Sequence, residues 1–267
     1  MKRIIIIGAS SGIGLKAAGR YAEMGYRIGM AARHTEPMKE LQARYPDQIE
    51  VTGLDVTAPD ATRKFEDLIQ LTGGMDVLLF ASGVGFKDTE LNDSILTNTL
   101  MVNVVGFARI VAQAYKYFRR TANVTPGHIA VITSVAATNA LGSAAAYSAS
   151  KRFQRQFIDS LRQLAINQKV NVKFTDIRPG FIRTPLLDPS SDYPMIMTLD
   201  EAMPLIIDAI EKGKEVATIN TRWRIVNALW SLVPTCLWRH IYVGISDSGP
   251  TIQASLPKNL PIISNLR

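Results

Sequence analysis

The chain has 267 residues, 47% hydrophobic and 20% charged, a balance that supports a full core and excludes a disordered protein. Its 30 basic and 23 acidic residues leave a net charge of +7, spread along the chain with no aromatic-laced basic patch, which argues against nucleic-acid binding. The single cysteine, Cys236, cannot close an internal disulfide, and His34, His128 and His240 lie out of helical reach of one another, so a cysteine- or histidine-based metal centre is not expected.

Met1-Lys2-Arg3 leads into four isoleucines, Ile4 to Ile7, and then Gly8. That run is too short for a signal h-region, and no small-residue cleavage site follows it. It reads as a buried strand. No apolar run reaches the ~18 residues of a bilayer span, so a cytoplasmic protein is the expectation. Strand-like runs at residues 3–8, 27–32, 49–55, 76–80, 127–133, 172–177 and 216–219 alternate with helical stretches at 13–24, 37–45, 58–71, 91–120, 146–168 and 199–212. Most of these strands are apolar throughout, as expected where both faces of a parallel sheet are covered. The pattern predicts an α/β fold: a doubly wound Rossmann-type domain over residues 1–221, with about seven parallel strands and helices on both faces. Residues 184–198, with Pro185, Pro189 and Pro194, read as a long loop. Residues 222–243 form an apolar helical extension kinked at Pro234, and 244–267 a flexible tail.

The first strand ends in Gly8-Ala9-Ser10-Ser11-Gly12-Ile13-Gly14 and opens onto a helix. Gly8 permits a tight turn, Gly12 lets the backbone approach a pyrophosphate, and Gly14 lets the helix pack against the strand. Amides at the helix start, with hydroxyls from Ser10 and Ser11, suit a bound phosphate. The second strand ends in Arg33-His34-Thr35, with no acid before Glu36. An arginine there accommodates a ribose 2′-phosphate, so NADP(H) is expected over NAD(H).

Tyr147 and Lys151 share one helix face at a four-residue spacing. An unperturbed phenol titrates near ~10, and a neighbouring ammonium would bring it into use as an acid or base. Ser134 ends the fifth strand, at the sheet edge where ligands bind in such folds.

Together these residues resemble the short-chain dehydrogenase/reductases, in their shorter single-domain branch, over roughly residues 1–220. The hallmarks are Gly8-x-x-x-Gly12-x-Gly14, Asp55, Asn103-Val104-Val105-Gly106, Ser134, Tyr147-x-x-x-Lys151, and Pro179-Gly180 followed by Thr184. The resemblance implies that Tyr147 is the general acid or base and that Lys151 binds the nicotinamide ribose and lowers the tyrosine pKa. It implies that Ser134 bonds the substrate oxygen and that Asn103 anchors a water in a proton relay to Lys151. By the same resemblance Asp55 and Val56 contact the adenine, while Ile13, Ala81 and Gly83 belong to the coenzyme site. Pro179, Gly180, Ile182 and Thr184 border the nicotinamide. Two positions depart from the family pattern: Ala81-Ser82-Gly83 stands for Asn-Ala-Gly, and Ile7 replaces the usual threonine. A homodimer or homotetramer through residues 91–120 and 146–168 is also implied.

The competing reading is a non-catalytic NADP-binding sensor or scaffold, which would have no chemical need for both Tyr147 and Lys151. Phe181, Leu186, Leu187, Tyr193, Met195, Ile196 and Met197 near the long loop favour a bulky apolar ketone or alcohol, lipid-like or steroid-like. In the extension, Trp223, Val226, Trp230, Val233, Leu237 and Ile241 recur at helical spacing, flanked by Arg222, Arg224, Arg239 and His240. That face could meet the core, a partner subunit, the substrate mouth or a membrane interface.

Overall fold

The computed structural model describes residues 1–121, 126–187 and 193–241. Seven parallel strands lie in the order β3-β2-β1-β4-β5-β6-β7. They are β1 (Arg3–Ile7), β2 (Arg27–Ala32), β3 (Ile49–Gly53), β4 (Val77–Phe80), β5 (Gly127–Ile132), β6 (Val172–Pro179) and β7 (Val216–Ile219). This is the doubly wound sheet that the alternation of runs predicts. Successive residues of β1 explain its unbroken apolar sequence. Ile4 and Ile6 pack into one core with α1 (Gly12–Glu23), α2 (Glu36–Arg44) and α7 (Leu199–Glu211). Ile5 and Ile7 pack into the other, with α3 (Ala61–Leu71), α5 (Phe107–Thr121) and α6 (Ala145–Gln168). A strand covered on both faces has no polar side to alternate with.

The helix expected at residues 91–120 is compound. It comprises α4 (Asp93–Leu100), a π-helical turn (Met101–Gly106) and α5. By length and composition, Asp93–Thr121 could cross a membrane, contrary to the sequence expectation. Part of its apolar content belongs to the core: Phe107, Ile110, Val111, Ala114 and Phe118 are buried against the sheet and its neighbouring helices, while Leu100 and Val105 stay exposed.

The extension at residues 222–243 also differs from the single kinked helix expected. It divides into α8 (Thr221–Leu232) and α9 (Thr235–Trp238), with Pro234 between them as the N-cap of the second. A proline lacks the N–H that would continue the helix. The break resets the register, so Trp238 turns inward while Leu237 and Ile241 face outward. Residues 242–267, including the predicted tail, lie outside the described residues.

The chain connects outward in opposite directions from β1 and from β4, which opens a crevice at the carboxyl ends of the central strands. The Gly8 turn, the Ala81–Gly83 segment, Ser134 and Pro179-Gly180 follow β1, β4, β5 and β6 at that edge.

Candidate active site

A cleft of about 1110 Å³ occupies this edge, running from the Gly8 turn to Trp230. Ser10, Ser11, Gly12, Ile13, Arg33, Asp55, Val56, Ala81 and Gly83 line it, as do Ser134, Tyr147, Lys151, Pro179, Gly180, Ile182 and Thr184. Gly14 and Asn103, also singled out in the sequence, sit behind its wall.

At one end the wall is backbone. Gly8 has φ +86°, and a Cβ there would lie 2.5 Å from the Ser82 amide nitrogen. A Cβ on Gly14 would lie 2.2 Å from the Gly8 carbonyl oxygen, so α1 must begin hard against the turn. Ser11 is the N-cap residue of α1, yet its side chain makes no capping bond and the first turn holds no acid. Uncapped helix amides suit a phosphate. Exposed Arg33 lines the same end of the cleft, past the last residue of β2. The Asp55 Oδ1 atom accepts from the Thr57 amide at 2.9 Å and from its hydroxyl at 2.8 Å, fixing the loop that carries buried Val56. These features fit a dinucleotide with an extra ribose phosphate.

The middle of the cleft holds Ser134, Tyr147 and Lys151. Ser134 starts a short 3-10 turn (Val135–Ala137), where its Oγ accepts from the Ala136 amide at 3.1 Å. Its side chain is also hydrogen-bonded to Tyr147. Burial pushes the Tyr147 phenol above its ordinary value, and the Ser134 bond pulls the other way. Lys151 Nζ lies 5.8 Å from the centroid of the Tyr147 ring. It donates to the Ile132 carbonyl at 3.1 Å and to Gln154 Oε1 at 3.1 Å. Burial lowers its pKa to about 8, against the attraction of Asp176.

Asn103 lies in the π-helical turn, fully buried. Its Oδ1 accepts from the Val84 amide at 2.9 Å, while its Nδ2 donates to the Val84 carbonyl at 2.7 Å and to Ser150 Oγ at 3.0 Å. Its main-chain carbonyl accepts from Gln154 Nε2 at 2.9 Å. Gln154 lies outside the residues that the sequence singles out. The signal was present, since Tyr147, Lys151 and Gln154 fall at positions 0, 4 and 7 of one helix face. Asp176 lies outside them too, buried beside Arg178 and bonded to Thr133, next to Ser134.

At the far end the wall is aromatic. Phe181, Trp223, Trp230 and Trp238 stand edge to face at 5.6, 6.1 and 5.3 Å between successive rings. Trp223, Val226 and Trp230 of α8 line the cleft with Phe181, Leu186 and Met195.

A sequence profile described as short chain dehydrogenase matches residues 2–193. An uncharacterized oxidoreductase of Mycobacterium tuberculosis is 30% identical over 245 residues, covering 87% of this chain and 94% of that protein. A short chain dehydrogenase from Burkholderia cenocepacia, solved in complex with NADP, shares the fold with TM-score 0.76 at 17% identity, over 90% of this chain and 98% of that one. A bulky-bulky ketone specific alcohol dehydrogenase from Comamonas testosteroni superposes with TM-score 0.71 at 22% identity, over 88% of this chain and 96% of that one.

The direction of the Lys151 shift gives a pH dependence. The ammonium, with three N–H donors, predominates below about 8 and gives way to the amine above it. NADPH affinity should therefore hold steady below about 8 and fall as pH rises through that value. Fluorescence titration of NADPH across this range checks it, and a flat profile would remove the ammonium from coenzyme binding.

Proposed function

The chain belongs to the short chain dehydrogenase family, and on that premise we propose that it interconverts a bulky apolar ketone and the corresponding secondary alcohol with NADP(H). The observation carrying this reading is the convergence of Ser134, Tyr147 and Lys151 on one cleft that also holds the glycine turn and Arg33.

When bound, the coenzyme supplies or accepts the hydride. Ser134 donates a hydrogen bond to the substrate oxygen, while Tyr147 supplies the proton in the reducing direction and recovers it in oxidation. Burial keeps that phenol protonated, which suits a proton donor. The Lys151 ammonium steadies the phenolate left after transfer and, with two N–H groups committed, keeps one for the ribose hydroxyls. Gly8, Ser10, Ser11, Gly12, Ile13 and Gly14 cradle the pyrophosphate, and Arg33 pairs with the 2′-phosphate. Asp55 and Val56 meet the adenine. Ala81, Gly83, Pro179, Gly180, Ile182 and Thr184 border the rest.

The apolar substrate is supported by the wall of Phe181, Leu186, Met195, Trp223, Val226 and Trp230. It is also consistent with the ketone class named for the Comamonas enzyme. A homodimer or homotetramer through α5 and α6 belongs to the same reading. So does contact with a lipid surface: α8 and α9 expose Ile225, Leu229, Leu232 and Leu237 beside arginines 222, 224 and 239.

Tyr147→Phe should reduce turnover of bulky ketones by at least about a hundredfold, the usual worth of a general acid, while NADPH still binds. Binding without turnover by the unmodified protein would instead favour a sensor or scaffold. Arg33→Ala should weaken NADPH about tenfold or more and leave NADH nearly unchanged, because a charged hydrogen bond to the phosphate is worth about 1.5–3 kcal/mol; comparison of the two dissociation constants decides it. In flotation with anionic vesicles the full chain should rise with the lipid, and Leu229→Asp should reduce that fraction. A full chain that stays at the bottom removes the membrane part.

A further inference from the structure

Gln154 is fully buried, so both ends of its amide require partners. One end meets Lys151 Nζ at 3.1 Å and the other meets the Asn103 carbonyl at 2.9 Å. The chemistry of these partners fixes which end is which. A carbonyl only accepts and an ammonium only donates, so Oε1 must face Lys151 and Nε2 must face Asn103.

The resemblance to the family led to the expectation of a water on Asn103, relaying protons to Lys151. In this chain a side chain bridges the same two residues. A carboxamide neither takes up nor releases a proton near neutral pH, so a bridge of this kind acts by dipole and position. Its oxygen end points at the ammonium, favouring the charged form in a buried setting. Its nitrogen end ties that oxygen to the π-helical turn, whose Asn103 side chain in turn holds the backbone of Val84.

We propose that Gln154 is a positioning residue for Lys151: its amide bridges Lys151 to the Asn103 carbonyl, aiming the ammonium and keeping it charged. This rests on the proposed role of Lys151 in binding coenzyme.

Other groups around Lys151 are accounted for. Asp176 of β6 acts on it from a neighbouring element and is itself paired with Arg178. Tyr147 faces it from the same helix. β5 presents the Ile132 carbonyl, and the neighbouring segments present Gly83 and Asn103, none of which titrates.

The experiment compares Gln154→Leu and Gln154→Glu with the unmodified protein, reading NADPH affinity against pH by fluorescence and folding by thermal melting. Both substitutions lose the link to Asn103, so both should lower the melting temperature. Their effects on the alkaline limit of NADPH binding should be opposite. Removing the dipole in Gln154→Leu should move that limit down by about one pH unit, the tenfold effect of one charged hydrogen bond. The carboxylate of Gln154→Glu should move it up. Gln154→Met serves as the apolar variant if Gln154→Leu does not fold. Shifts in the same direction, or no shift in folded variants, overturn the proposal. Lys151→Met tests the underlying role separately. If it binds NADPH as well as the unmodified protein does, the reading of Lys151 falls; if it binds poorly while the Gln154 variants keep the original profile, only the proposal about Gln154 falls.

Discussion

Lys151 carries an ammonium into a place where its side chain is nearly sealed from water, and an unpaired charge there would cost several kcal/mol. Three separate elements meet that demand. The last residue of β5 offers the Ile132 carbonyl, α6 offers Gln154 one turn on, and the π-helical turn holds Gln154 from behind. The widened turn is consistent with this arrangement. A π-helical stretch adds residues to a turn and such stretches recur at functional sites, and here Asn103 bonds neighbours with its amide and its main-chain carbonyl. Fixing Lys151 also fixes what is next to it. Tyr147 lies one turn earlier on α6, and Ser134 lies two residues beyond Ile132.

The two ends of the cleft are built from different materials. The end beside the glycine turn consists of backbone brought close together, with Gly14 against Gly8 and Gly8 against Ser82. A Cβ is excluded at Gly8 and Gly14 by distances under 3 Å. The opposite end consists of large side chains stacked edge to face. Asp176 is buried on β6. It bonds Thr133 and Arg178, so the strand ends beside Ser134 are held by a buried charge pair. Removing one member of such a pair strands the other, so the pair constrains geometry more than it adds net stability.

Much of this was legible in the sequence, for a physical reason. Strands buried on both faces must be apolar throughout, so the four isoleucines of β1 identify themselves, and the glycine turn is written in residues that no other side chain can replace. The Tyr147 and Lys151 spacing is likewise a helix-face relation within one segment. Less legible were features that depend on distant partners. Gln154 resembles any polar helix residue until β5 and the π-helical turn are packed around it. Asp176 gives no sign that Thr133 and Arg178 will enclose it. The apolar stretch at 93–121 satisfies a membrane-span criterion in composition, and that composition does not show that its α5 part packs under the sheet. Pro234 was visible as a disruption, but its consequence, a change of register that turns Trp238 inward, depends on a contact with Ala140.

That contact belongs to a wider division within the chain. The family match ends at residue 193, before α7, β7, α8 and α9, while the fold shared with the Burkholderia structure spans 90% of this chain. The glycine turn, Ser134, Tyr147 and Lys151 all fall inside the matched part, and the three tryptophans fall outside it. α8 and α9 are fastened to the matched part. Trp238 Nε1 donates to the Ala140 carbonyl at 2.7 Å, and Asn139 donates to the Trp230 carbonyl at 2.7 Å. Thr138 is bonded to Asn227. All three anchors fall on residues 138–140, the stretch between Ser134 and Tyr147. Each aromatic pair adds about 0.5–1.5 kcal/mol beyond its buried area, so the ladder is a stiff wall. Under the proposed function, a wall attached beside the Ser134 and Tyr147 hydroxyls limits how far a substrate's apolar body extends from its carbonyl. In the proposed reaction the part matched by the profile therefore governs the chemistry, while α8 and α9 govern which molecules reach it.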